Sequence, residues 1–154
     1  MVNGSFELNI AERIESLKAG TLAALAVCVA FAAIALVNSQ VLASQFSSLT
    51  SLQIASIDLN LLISGAIAIL AGFLFGVTYR YVIREDQNPH LKSGAVLAFG
   101  LVRGLAQVDV GYNLQGTLWP FGVLAVESIL LFAIARFALD TAIQQNWVRP
   151  FNSK

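Results

Sequence analysis

The sequence predicts an all-α membrane protein with four transmembrane helices, both termini cytoplasmic, and a short N-terminal amphipathic helix. Of its 154 residues, 57% are hydrophobic and 12% are charged, and the mean hydropathy is +0.75. Soluble domains contain about 45–50% apolar and about 25% charged residues. Four apolar stretches approach the roughly 20 residues that a bilayer core requires, and Lys and Arg flank them asymmetrically. We predict a single transmembrane domain over residues 1–154.

An amphipathic segment precedes the first span. Its apolar residues recur at helical spacing: Phe6, Ile10, Ile14 and Leu17. Asn9 followed by Glu12 has the pattern of a capping box at a helix start. We expect a helix that lies in the headgroup layer, or alternatively one that docks on a partner.

Three spans follow from length and composition. The first covers about residues 19–43 and becomes polar only at Asn38. The second covers residues 59–79, and the fourth covers about 118–138 with one acid, Glu127, inside it. At a rise of about 1.5 Å per residue, each stretch is long enough to cross a hydrocarbon core of about 30 Å.

The third predicted span, residues 93–116, is interrupted by polar residues. The distribution of Lys and Arg along the chain nevertheless favours a transmembrane helix here. Lys and Arg concentrate on the cytoplasmic side of membrane proteins. Here they precede span one, separate spans two and three and follow span four, whereas the connections after spans one and three contain none. A three-span alternative, with this segment re-entrant or lying on the surface, would put the basic C-terminus opposite the basic middle loop. We therefore predict four spans.

Composition excludes several classes of function. Nine Lys and Arg balance nine Asp and Glu, so there is no basic surface with which to neutralise nucleic-acid phosphates. One cysteine, Cys28, and one histidine, His90, exclude an intramolecular disulfide, a CxxC pair and a Cys/His zinc site within one chain. No nucleophile with a base and no phosphate-binding loop stands out. We expect no enzyme activity, no cofactor and no metal.

Small residues recur at intervals of four in two of the spans. Ala68, Gly72 and Gly76 lie in span two, and Gly100 and Gly104 lie in span three. Helices in lipid associate where small residues let their backbones approach each other. We expect spans two and three to pack on each other through these residues, and the alternative is a seam for an oligomer or a partner.

Arg103 and Glu127 are ionisable residues near the centre of the bilayer. Arg103 lies ten residues past Ser93 and Glu127 lies nine before Arg136, which places both at a depth of roughly 14–15 Å. Because spans three and four are consecutive and antiparallel, we predict an intramembrane ion pair between them. The pair either fixes the register of the hairpin or belongs to an ion or proton path.

The loop from Tyr79 to Ser93 carries the densest polar chemistry in the chain. Its charged and ionisable residues are Arg80, Arg84, Glu85, Asp86, His90 and Lys92. Asn88-Pro89 favours a turn, so one interpretation is a solvated hairpin tip. The other interpretation, which we adopt as the prediction, is that this loop docks on a partner. A metal site is not expected, because adjacent acidic side chains splay apart.

The segment RYVIREDQNPHLKSGAVLAFGLVRGL, residues 80–105, resembles a group of small multi-span membrane proteins of cyanobacteria and plastids that have no established activity. The resemblance covers about a sixth of the chain. It implies a thylakoid or plasma-membrane location in a photosynthetic organism and a role near photosynthetic complexes. It carries over no catalytic residues.

These observations predict an integral membrane accessory, assembly or scaffold factor for a larger membrane complex. Its partners would be the lipid bilayer and either a membrane protein or further copies of itself. The alternative is a small oligomeric transporter or channel in which Arg103 and Glu127 line the path. A membrane-embedded enzyme acting on a lipid or pigment is a third class. Pigment or quinone binding stays open, because ten Phe and two Trp supply aromatic surface without a distinctive motif.

Overall fold

The computed structural model of the protein is a bundle of four long helices, and it describes residues 2–42, 59–83, 88–113 and 118–151. In chain order the helices are α1 (Val2–Val37), α2 (Leu59–Ile83), α3 (Pro89–Asn113) and α4 (Leu118–Gln144), and a π-helical turn at Asn38–Leu42 extends α1. Each of the four is long and apolar enough to cross a membrane. The predicted class, an all-α four-helix membrane protein, is therefore confirmed.

The helices differ from the predicted spans mainly at their ends. The amphipathic segment and the first span form one continuous helix, because no proline interrupts the chain before Pro89. Helix α2 continues to Ile83, and α3 begins at Pro89, a favoured residue type for a first helical position. Asn88 Oδ1 accepts a hydrogen bond from the His90 N–H at 3.0 Å and so caps α3. The span ends predicted at 43 and 114–116 lie outside the described residues.

The helices pack in an up-down-up-down arrangement. The α1–α2 and α3–α4 hairpins form the largest contacts, α1 also packs on α4 and α2 on α3, and α2 and α4 touch across the diagonal. Helices α2 and α4 both finish at the same end of the bundle, which we call the terminal end. The other end, where α1 ends and α4 begins, is the opposite end.

An aromatic cluster joins three helices near the terminal end. Phe75 of α2 lies 5.4 Å from Phe99 of α3 and 5.3 Å from Phe132 of α4, and the latter two rings are 5.6 Å apart, all measured between ring centroids. Tyr79 stacks on Phe75 at 5.2 Å. Tilted and edge-on contacts of this kind suit the charge distribution of aromatic rings. The cluster fixes the spacing of α2, α3 and α4.

The small residues of α2 pack on α1. Ala68, Gly72 and Gly76 are all buried. A Cβ added at Gly72 would lie 2.8 Å from Val27 Cγ2, and one at Gly76 would overlap the carbonyl oxygen of Ala19. The absence of side chains at these two positions therefore allows α1 to approach α2 closely.

The glycines of α3 pack on α4 in the same way. An added Cβ would lie 2.8 Å from the Ile129 Cα at Gly100 and 2.8 Å from the Ala125 Cα at Gly104. The expected packing of span two on span three through these glycines is therefore wrong. Each glycine pair is used between two helices that are consecutive in the chain, α1 with α2 and α3 with α4. Their surface within the bundle is occupied and cannot also serve as an oligomer seam.

Burial within α2 is confined to its second part. The buried residues of this helix begin at Ala68 and continue to Ile83, whereas none of residues 59–67 is buried. Large apolar side chains cover the outside of the bundle, as on Val29 and Val102, which are both 72% exposed. The apolar outer surface thus suits contact with lipid. The distribution of buried residues shows that α2 packs most closely toward the terminal end.

Candidate functional site

The predicted ion pair between Arg103 and Glu127 is not formed. Glu127 Oε2 instead accepts a hydrogen bond from Asn38 Nδ2 of the π-helical turn at 3.1 Å. Arg103 Nε is buried and has no hydrogen-bond partner among the described residues. The prediction was wrong because equal depth on two helices does not decide which neighbour a side chain meets. Helix α1 packs against α4 and supplies a competing donor.

Arg103 lies one helical turn beyond Phe99 on α3. Residues four apart lie on the same face of a helix. Arg103 therefore lies on the same face of α3 as Phe99, whose ring contacts α2 and α4. No ion pair to its guanidinium occurs within residues 2–42, 59–83, 88–113 and 118–151. Arg103 is thus a cation in the middle of an apolar helix without a counter-charge from the described part of its own chain.

Several charges at the terminal end form ion pairs in two groups, and the first group centres on Arg80. The Arg80 side chain is 1% exposed and forms an ion pair with Glu12 of α1. Its NH1 group also donates to the Glu12 carbonyl at 3.1 Å and to Ser16 Oγ at 2.7 Å. Its Nε donates to the Arg149 carbonyl at 2.7 Å. This arginine joins α2 to α1 and to the segment after α4.

The chain reverses after α4 to bring Arg149 into this position. Asn146 has a left-handed backbone conformation with φ of 60°, which asparagine tolerates better than most residues. Its N–H bonds to the Ile143 carbonyl and the Trp147 N–H to the Ala142 carbonyl, which is the pattern of a Schellman cap. The Arg149 N–H then donates to Glu15 Oε2 at 2.9 Å.

Asp140 of α4 is the centre of the second group. Its Oδ1 accepts from Tyr79 Oη at 2.8 Å and from Lys92 Nζ at 3.0 Å, and its Oδ2 lies 3.5 Å from Arg136 Nε. This carboxylate therefore joins α2, α3 and α4. We refer to the two groups together as the terminal network; its side chains are Glu12, Ser16, Tyr79, Arg80, Lys92, Arg136 and Asp140.

The predicted partner-docking loop is much shorter than expected. Because α2 continues to Ile83, its start belongs to a helix, and Arg80 is buried in the terminal network instead of being exposed to a partner. Lys92 is engaged by Asp140. His90 is exposed at the start of α3. The other predicted docking residues, Arg84, Glu85 and Asp86, lie outside the described residues.

An open groove runs between α1 and α4 at the opposite end. It has a volume of about 580 Å³. Its lining residues are Ala33, Ile34, Val37, Asn38, Trp119, Gly122, Val123, Val126, Glu127 and Leu130. Asn38 is 6% exposed, and its Oδ1 is buried without a hydrogen-bond partner in the described part of the chain. Asn38 and Glu127 thus form a polar site inside an otherwise apolar groove.

Sequence reasoning missed most of these polar contacts. Glu12 had the pattern of a helix cap, yet α1 begins well before it and Glu12 pairs with Arg80 instead. Asn38 was interpreted only as the polar end of a span. The signal in the sequence is that Arg80 falls among apolar and aromatic residues at the end of a span, and ionisable residues within spans are usually paired.

Comparisons with protein families, with characterised proteins and with solved structures found no match to this chain. Among the described residues, no group of three or more His, Cys, Asp or Glu side chains is placed to hold a metal ion. The fold and the apolar outer surface define the protein as a multi-pass membrane protein with an all-α bundle.

Proposed function

We propose that the protein is an integral membrane accessory factor that holds or assembles a larger membrane complex. The observation that carries this proposal is Arg103, a cation within an apolar helix for which the described residues supply no counter-charge. An isolated charge at this depth costs several kcal/mol unless it is paired or hydrated. A carboxylate on a partner helix would remove that cost.

The rest of the chain supports this interpretation by contrast. Arg80 pairs with Glu12, and Lys92 and Arg136 share Asp140. These contacts give each of the three cations a carboxylate partner at the terminal end. Arg103 is different because none of the residues that the structure describes supplies it with a counter-charge.

The surface beside Arg103 suits a transmembrane partner. Val102 and Leu105, which are close to Arg103 in the sequence, are 72% and 61% exposed. Helices associate in lipid through close packing and polar contacts, and a buried ion pair within an apolar interface would fix the register of the partner. The proposed interface is therefore the exposed side of α3 next to Arg103, whose own side chain is half-buried.

Native-size analysis in mild detergent, with every co-migrating protein identified, tests the proposal. The protein should run within a much larger heteromeric complex, and Arg103→Leu should release it. Arg149→Leu removes the same charge from an exposed side chain and should leave the complex intact. A parent protein that runs without partners would contradict the proposal, as would an Arg103→Leu variant that stays in the complex.

The location that we propose is the thylakoid or plasma membrane of a photosynthetic organism. The support for it is the resemblance of residues 80–105 to small membrane proteins of cyanobacteria and plastids. Fractionation of the source cells followed by immunodetection tests it. Recovery with photosynthetic complexes supports the proposal, and exclusive recovery with another membrane contradicts it.

A small oligomeric transporter is the second candidate. The observation in its favour is that Arg103 and Glu127 do not neutralise each other, so both are left to interact with a transported ion. Reconstitution in liposomes distinguishes the two candidates. A transporter would run as a small homo-oligomer and show flux that Arg103→Leu and Glu127→Gln abolish, whereas an accessory factor would show no flux.

A further inference from the structure

The groove between α1 and α4 contains a buried polar atom that requires a partner. Asn38 is 6% exposed, and its Nδ2 donates to Glu127 Oε2 at 3.1 Å. Its Oδ1 is buried and accepts no hydrogen bond from any described residue. Buried polar groups are nearly always paired, so this oxygen requires a hydrogen-bond donor other than the described residues.

The chemistry of this atom restricts what can pair with it. An amide oxygen is an acceptor only, so the missing group must be a hydrogen-bond donor. Ketones, esters, ethers and the hydrocarbon tails of lipids offer none. A charged amine would lose its hydration on entering the groove, and the Glu127 oxygen that could pair with it already accepts from Asn38 Nδ2. A neutral hydroxyl group meets both requirements.

The size and lining of the groove restrict the remainder of the molecule. Its volume of about 580 Å³ lies within the range of small-molecule pockets. Apart from Asn38 and Glu127 its walls are apolar or aromatic, with Trp119 among them. We infer that the groove binds a membrane-dissolved amphiphile with an apolar body and a hydroxyl head, which donates a hydrogen bond to Asn38 Oδ1.

Trp119 provides a direct measurement of binding. The chain has two tryptophans, and Trp147→Phe leaves Trp119 in the groove as the only one. This parent is placed in phosphatidylcholine nanodiscs, whose headgroups lack a hydrogen-bond donor. It is titrated with a dibrominated octadecanol, whose bromine atoms quench tryptophan on contact, and in parallel with its methyl ether.

We expect saturable quenching by the alcohol, with the ether about tenfold weaker because it cannot donate to the amide oxygen. Asn38→Leu should remove the preference for the alcohol. Ser39→Ala, a neighbouring change outside the groove lining, should keep it. A Trp119→Phe protein, which retains Trp147, should show only unsaturable quenching, which measures partitioning into the lipid.

Two results would overturn the inference. Equal quenching by the alcohol and the ether in the parent would show that the groove only contacts lipid. A preference for the alcohol that persists in a folded Asn38→Leu variant would place the hydroxyl elsewhere. The first comparison uses the parent protein alone, so it decides even if Asn38→Leu does not fold, as judged by circular dichroism.

Discussion

Arg80 of α2 and Glu12 of α1 form an ion pair across the terminal end, with the Arg80 side chain almost completely buried. Ser16 and the carbonyl of Arg149 accept further hydrogen bonds from the same guanidinium. Burial of a charge is costly, so such a pair contributes little relative to apolar packing. Breaking it, however, leaves an uncompensated charge or several unpaired polar groups.

Arg80→Met should lower the free energy of unfolding by about 3–5 kcal/mol, because Glu12, Ser16 and the Arg149 carbonyl all lose their donor. Reversible unfolding in detergent, followed by circular dichroism, measures this change. Arg149→Met is the control, since only the backbone of Arg149 takes part in the network and its side chain is exposed. Equal stability of the two variants would contradict the assignment.

Gly76→Ala should destabilise the α1–α2 hairpin by about 1–3 kcal/mol, because the added methyl group overlaps the Ala19 carbonyl and lies 2.7 Å from Ala23 Cβ. Gly94→Ala is the matched control. Nothing lies within 4 Å of a Cβ at Gly94, so this change should raise stability by about 0.5–1 kcal/mol through helix propensity. Thermal unfolding of both variants compares them, and the same sign for both would be inconsistent with the packing described.

Asp140→Asn should destabilise the protein by about 1–3 kcal/mol, because a neutral amide cannot pair with Lys92 and Arg136. Tyr79→Phe removes a single hydrogen bond to the same carboxylate and should cost about 1 kcal/mol. Unfolding measurements on Tyr79→Phe, on Asp140→Ala, which also removes the acceptor oxygen, and on the double variant give the coupling energy. Additive effects would mean that Tyr79 and Asp140 do not interact.

Arg103→Leu should stabilise the isolated protein, by about 1–3 kcal/mol, because it removes a charge without a described partner from an apolar helix. The measurement is unfolding of the purified chain in detergent, free of co-purifying proteins. A marked loss of stability would show that Arg103 is already satisfied within its own chain. That result would also remove the reason for expecting a carboxylate on a partner.

The four helices could be predicted from the sequence because hydropathy is a local property. The apolar composition of a stretch such as residues 19–37 predicts a membrane helix whatever that helix packs against. The presence of close-packing glycines could also be anticipated from their spacing. Their partners could not, because spacing within one helix does not specify which neighbour fills the gap.

The polar contacts were harder to predict for the same reason. Glu12 and Arg80 are 68 residues apart, and Asn38 and Glu127 are 89 residues apart. Arg103 was a reasonable partner to predict for Glu127, because the two residues lie at matching depths. Helix α1 instead places Asn38 beside Glu127. Such choices depend on rotation about each helix axis, which a sequence of nearly all-apolar helices does not specify.

The Schellman cap at the end of α4 has a consequence for the biosynthesis of the protein. Arg80 receives its acceptor from Arg149, 69 residues further along the chain. The α1–α2 hairpin supplies Glu12 and Ser16 to this guanidinium from the start, but its Nε–H group has no acceptor from the C-terminal segment until that segment has been synthesised. The hydrogen bonds of Arg80 are therefore complete only when translation has passed α4. A ribosome-stalled chain lacking residues after Gln144 should accordingly be a substrate for membrane quality-control proteases.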